Sequence, residues 1–177
     1  MEKIFRNKPP RVYLENQIYF VTSKTFHNQP IFKDKNFAGV FLDCLEFLEG
    51  RGDAVILAAV LLFDHFHLLL KPKKKNISEV IHDLKSYTAQ RINNYYRQGI
   101  LALPIGKKDS EAGSLAYKSM INLPPVWQRS FYCHLILSEK DLKNHFNYII
   151  FNPVKHNYVT NSQDWPYSFY DFKKFDL

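Results

Sequence analysis

Two histidines one residue apart, His65-Phe66-His67, lead into Leu68-Leu69-Leu70. On a β-strand the side chains at i and i+2 leave the same face. Both imidazoles therefore share a side, and Phe66 packs on the other. Two adjacent imidazoles on one face are a ready pair of ligands for a divalent ion. The same pattern also suits two partly buried histidines with ordinary hydrogen-bond partners. A second constellation is Tyr148-Ile149-Ile150-Phe151-Asn152-Pro153. On a helix, i and i+4 share a face, so Tyr148 and Asn152 project together near the helix's C-terminal end. A helix tyrosine serves packing as readily as chemistry, and with 11 tyrosines in the chain, spacing alone does not single one out.

The elements that must position these residues follow from periodicity and punctuation. Residues 17–23 are aromatic and β-branched and read as a strand. Residues 36–50 set Phe37, Val40, Phe41, Cys44, Leu45 and Leu48 at helical spacing, and Gly50-Arg51-Gly52-Asp53 turns the chain. Residues 54–62 form an apolar strand, and residues 65–71 form a second that ends at Pro72 and Lys73-Lys74-Lys75. Their short connection predicts an antiparallel pair. Asn76 or Ser78 caps a helix that runs to about Arg97. Residues 98–125 lack periodicity and read as an insertion or mobile loop. Residues 127–137 read as a strand. Ser138 then caps a last helix, with Asp141 in the capping-box position, and Pro153 is expected to end it. The tail over 157–177, with Trp165-Pro166-Tyr167, reads as an aromatic anchor. The order β-α-β-β-α-β-α predicts an α+β, ferredoxin-like split βαβ antiparallel sheet in a single domain over 1–177. Helices lie on one face, and an additional C-terminal helix carries Tyr148. That fold implies no particular activity.

The chain has 177 residues, of which 46% are hydrophobic, enough to build a core and too apolar for disorder. Its 24 Lys and Arg against 17 acids give a net charge of +7, a balance that favours a polyanionic partner such as nucleic acid but also fits an ordinary basic enzyme. Cys44 and Cys133 stand alone in apolar settings, without zinc spacing, and read as buried thiols of a reducing compartment. No apolar run approaches a membrane span, and the start of the chain lacks a signal-peptide pattern, so the expectation is a cytoplasmic protein without a membrane partner.

Several segments, taken in order, narrow this reading. They are Asp64-His65-Phe66-His67-Leu68-Leu69, Leu84-Lys85-Ser86-Tyr87-Thr88-Ala89, Val126-Trp127-Gln128-Arg129-Ser130-Phe131-Tyr132, Asp141-Leu142, Tyr148-Ile149, Asn152-Pro153-Val154-Lys155-His156 and Asp164-Trp165-Pro166-Tyr167-Ser168. Together they resemble the REP-associated tyrosine transposases, members of the single-tyrosine HUH transposases. The resemblance covers nearly all of the chain outside 98–125. It implies that His65 and His67 are metal ligands, that Tyr148 is the nucleophile and that Asn152 is a carboxamide ligand. The implied ion is Mg²⁺ or Mn²⁺, with zinc competing for the imidazoles in vitro. The implied reaction cuts single-stranded DNA, leaves a 5′-phosphotyrosine and reseals when a freed 3′-hydroxyl attacks it. The implied partner is a hairpin-forming repeat, met as a monomer or a homodimer.

Backbone phosphates would be met by Lys73 to Lys75, Lys85, Arg91, Arg97, Arg129 and Lys155, and unpaired bases by Tyr87, Tyr95, Tyr96 and Trp127. Arg11, in the basic arm Arg6 to Arg11, is placed to contact the hairpin. The competing assignment for these residues is core aromatics and solvated lysines. The chain departs from the family at Leu62-Phe63-Asp64, where a proline and an asparagine often precede the first histidine. Asp64 there either approaches the metal or caps a turn. His134 serves packing or DNA contact equally well. Tyr132, Tyr87 and Tyr158 are the fallback nucleophiles. Two other classes fit the same residues: a ferredoxin-like module that binds nucleic acid without cutting it, and a metal hydrolase of small substrates.

Overall fold

Alternation decides which way each strand faces. In the computed structural model, which describes Leu14 and residues 16–97, 123–171 and 173–174, β1 (Tyr19–Lys24) turns Tyr19 and Val21 to one side of the sheet and Phe20 to the other. Helix α1 (Lys35–Gly50) is capped by Asp34, whose carboxylate accepts from the Asn36 N–H at 2.8 Å. It buries Phe37, Phe41, Cys44, Leu45 and Leu48. Gly52, at φ +72°, supplies the left-handed residue that the following turn requires. The chain then runs as a hairpin of β2 (Ala54–Leu61) and β3 (His65–Pro72), antiparallel as expected.

Asn76, rather than Ser78, caps α2 (Ile77–Arg97). Its side chain accepts from the N–H groups of Ser78 and Glu79, and the Glu79 carboxylate accepts from the Asn76 N–H, a complete capping box. β4 (Tyr132–Leu135), α3 (Glu139–Lys155) and a short β5 (Ser168–Tyr170) complete the chain. The five strands lie in the order β4-β1-β3-β2-β5, with every neighbouring pair antiparallel. The first four strands have the ferredoxin-like order.

Helices α1 and α2 pack on the face that carries Tyr19, Val21, Phe66, Leu68 and Leu70. Helix α3 packs on the opposite face through Ile149, against Phe20, Ala58, Val60, Leu69 and Trp165. The sheet is thus covered on both sides, which accounts for the nearly continuous burial of β2 and β3. No helix among the described residues is long and apolar enough to cross a membrane.

Three expectations need correction. The strand expected over 127–137 is only Tyr132–Leu135, because Trp127 leaves the ladder. Its indole is buried among Phe32, Phe41 and Phe66, and a single bridge to Thr25 remains. Pro153 does not end α3, which continues to Lys155. Its missing N–H forfeits one main-chain bond near the end of the helix, and the His156 N–H still reaches the Asn152 carbonyl at 3.0 Å. The tail adds a strand that alternation had not indicated, since β5 is only three residues long. Its anchor is Trp165, whose Nε1–H donates to the Leu61 carbonyl at 2.8 Å. Cys44 is buried and Cys133 only half-buried. Arg11 and most of the expected insertion over 98–125 lie outside the described residues.

Candidate metal centre and nucleophile

The face beneath α3 collects the residues with chemical potential. Register sets Thr22 opposite His67 and Lys24 opposite His65. Strand parity carries both histidines to the α3 side, because Phe66 between them enters the other core. The two imidazoles are buried, with ring centroids 4.9 Å apart. Each has one nitrogen committed. Nδ1 of His67 lies 2.6 Å from Oγ1 of Thr22, and Nδ1 of His65 lies 2.6 Å from Oδ1 of Asp64. A carboxylate on Nδ1–H fixes the tautomer that leaves Nε2 as a lone-pair donor, the arrangement found behind metal-ligating histidines. Asp64 therefore orients His65 instead of capping a turn.

The remaining valences are open. His67 Nε2 is buried with no hydrogen-bond partner among the described residues. Asn152, 1% exposed, has neither its carbonyl oxygen nor its amide nitrogen bonded there. An unmet buried polar atom costs about 1–3 kcal/mol, so a structure that keeps several of them needs a reason. Two imidazole nitrogens and an amide oxygen fit a divalent cation as that reason.

Burial, reinforced by the charges of His65, His156, Lys24 and Lys155, pushes His67 down to about 3. Burial also lowers His65 against the opposing pull of Asp64. Both rings are thus neutral near pH 7, as ligands must be.

Tyr148 sits one helical turn before Asn152 on α3. Its ring lies 5.0 Å from that of His67 and is 40% exposed. The Lys155 ammonium lies 5.2 Å from the centroid of the same ring. His156 stands against His65 at 5.4 Å. The structure therefore brings together Tyr148, His65, His67, His156 and Lys155, with Asn152 one turn past Tyr148 on the same helix.

Several of the other residues assigned to DNA lie elsewhere and have intramolecular partners. Lys85 donates to the Gln128 carbonyl at 2.6 Å. Tyr87 receives the Arg51 guanidinium at 2.6 Å, and Arg91 pairs with Asp43 at 2.8 Å. These three stand on α2, across the sheet from the histidines. Trp127 is interior and offers no stacking face, whereas the Arg129 side chain is exposed. Among the fallback tyrosines, Tyr87 lies across the sheet on α2, Tyr158 packs on Phe63 at 4.5 Å and on His156 at 5.7 Å, and Tyr132 touches Phe20 at 6.4 Å. Sequence reasoning missed Thr22, Lys24 and His156. The signal for the first two was the β1–β3 register, which no single strand displays.

Residues 15–102 match the family model described as "Transposase IS200 like". A Haemophilus influenzae protein assigned to the REP-associated tyrosine transposases is 36% identical over 111 residues, which cover 63% of this chain and 56% of that protein. A REP-associated tyrosine transposase of Escherichia coli K12 is 46% identical over 46 residues, 26% of this chain and 28% of that one. The chain thus spans little more than half the length of one curated relative and under a third of the other. A solved REP-associated tyrosine transposase bound to a REP hairpin shares the fold with a TM-score of 0.67 at 21% identity, over 92% of this chain and 81% of that one.

Proposed function

We propose that this chain, whose residues 15–102 match the IS200-like transposase model, cuts and rejoins single-stranded DNA through Tyr148, beside a divalent cation held by His65, His67 and Asn152. One observation carries the reading: buried, unpartnered ligand atoms on His67 and Asn152 stand next to a half-exposed tyrosine. A bound Mg²⁺ or Mn²⁺ would polarise a phosphate oxygen and stabilise charge in the transition state.

The chain's own residues supply the rest. The Tyr148 phenol loses its proton, and its oxygen attacks the phosphorus. The bond to the 3′-oxygen breaks, that oxygen takes up a proton, and the 5′-phosphate remains on the tyrosine. A free 3′-hydroxyl reverses these steps, so the phosphodiester is conserved and no nucleotide is consumed. Lys155, over the phenol ring, faces the incoming phosphate. Thr22 and Asp64 hold the imidazoles in register. Arg129 and the basic arm with Arg11 meet backbone phosphates further out. The substrate class is single-stranded DNA with a hairpin, since the solved relative binds one. The reaction belongs in the cytoplasm, where such DNA is present.

The test is a labelled library of hairpin-bearing single-stranded oligonucleotides incubated with Mn²⁺ or Mg²⁺ and resolved on a denaturing gel. Wild type is expected to form a slow-migrating covalent adduct, which Tyr148→Phe and His65→Ala/His67→Ala do not form. An adduct that persists in Tyr148→Phe moves the nucleophile to another tyrosine. Hairpin binding without an adduct under either metal supports a non-cutting nucleic-acid module instead. Light scattering on the same preparation separates monomer from homodimer.

A further inference from the structure

A second set of ligating groups converges on the same sheet face. His134 on β4, with Asp141 and His145 on α3, places Nε2, a carboxylate oxygen and Nδ1 within 4.8 Å of one another. His134 Nε2 lies 2.9 Å from Oδ2 of Asp141, and His145 Nδ1 lies 2.9 Å from Oδ1. The imidazoles stack at 4.8 Å with 23° between their planes. The three side chains are 33%, 22% and 23% exposed, so an ion reaches them without opening the core. Tetrahedral zinc, with bonds of about 2.0–2.1 Å, separates its ligand atoms by about 3.3 Å. The two His–Asp spacings of 2.9 Å lie a few tenths of an ångström below that value, and small side-chain rotations meet it.

Asp141 is held below the usual carboxylate range. Burial opposes this, and the His134 hydrogen bond, the Leu137 N–H and the two imidazoles outweigh it. Two imidazoles with one carboxylate suit Zn²⁺, Co²⁺ or Ni²⁺, whereas Mg²⁺ and Ca²⁺ prefer all-oxygen sets.

We propose that His134, Asp141 and His145 form a second metal site, taking Zn²⁺ or a similar borderline ion, that ties the first turns of α3 to β4. The open coordination positions belong to water. The location gives the tie a consequence. His145 precedes Tyr148 by less than one turn, and its ring lies 4.5 Å from Phe20, which also contacts His67 and Tyr148. An ion here would fix the helix that carries the tyrosine and the asparagine. Binding itself does not depend on the reading of Tyr148 given above. The competing use of the same groups is a closed triad in which Asp141 takes one N–H from each ring.

Zinc uptake by the full chain, measured by competition with a chromophoric chelator, decides between them. The variants are His65→Ala/His67→Ala, His134→Asn/His145→Asn and the two combined, each checked for fold by circular dichroism. Wild type is expected to take two equivalents, either double variant one, and the combination none. Zinc is also expected to slow amide exchange in the first turns of α3 in His65→Ala/His67→Ala. The proposal is overturned if folded His65→Ala/His67→Ala takes up no zinc, or if its equivalent survives His134→Asn/His145→Asn. Should that last pair prevent folding, Asp141→Asn in the His65→Ala/His67→Ala background serves. Loss of zinc there supports the site, and unchanged uptake sinks it.

Discussion

Two groups of histidines occupy one face of one sheet, with the ring of Phe20 between them. It stacks on His67 at 5.5 Å and touches His145 at 4.5 Å. In the group on β3, each imidazole has one nitrogen bonded to the protein, and the buried Nε2 of His67 is left without a partner among the described residues. In the group on β4 and α3, both imidazoles close onto a single carboxylate and are partly solvated. The residue types barely differ. Partners and burial set the difference: the first group keeps a buried nitrogen without a partner among the described residues, and the second closes onto its own carboxylate.

The comparison can be broken at its strongest point first. Tyr148→Phe is expected to abolish the covalent adduct outright, and His67→Ala to remove several kcal/mol of transition-state stabilisation. Denaturing gels with and without chelator read both, and activity is expected to return to chelated wild type on adding Mn²⁺. Asp64→Asn keeps the shape but not the charge behind His65. It is expected to weaken Mn²⁺ binding roughly 10- to 100-fold, as losing an outer partner usually does. Titration calorimetry showing unchanged affinity would remove Asp64 from the site.

Asn152→Leu sharpens the contrast by separating function from stability. It should end metal-dependent cleavage while raising stability by about 1–3 kcal/mol, because an unpaired buried amide is replaced by hydrocarbon of similar size. A urea midpoint that falls would mean that the amide has a structural partner.

A further effect is with pH. His67 titrates near 3 in the folded chain and near 6.5 when unfolded. Between those values the unfolded state binds the extra proton. Metal-free stability should therefore be whole above pH 6.5 and fall as pH drops toward 3, by at most about 1.4 kcal/mol per unit for this group. His67→Gln should flatten that slope in urea titrations taken across the range.

Much of this was legible in the chain. The i, i+2 rule placed His65 and His67 on one face, and the i, i+4 rule placed Tyr148 with Asn152, because both depend on local geometry alone. Thr22 and His145 were not legible, since they are brought in by strand register and helix docking, which are long-range. The surface assignments fared differently. Tyr87, Arg91 and Lys85 look free in a sequence, yet each meets a partner 36 or more positions away. Trp127 looked like a strand residue with a stacking face and is instead a core indole, because the hollow between Phe32, Phe41 and Phe66 exists only after α1 has docked.

β5 pairs through Ser168, Phe169 and Tyr170 with the second half of β2, and Trp165 fastens the approach to it. Without it, an eight-residue apolar strand would be a bare sheet edge, a template on which other chains can add. The tail thus acts as a guard against self-association. Cutting the chain before Trp165 would be expected to yield a protein that folds around its histidines and then aggregates through β2.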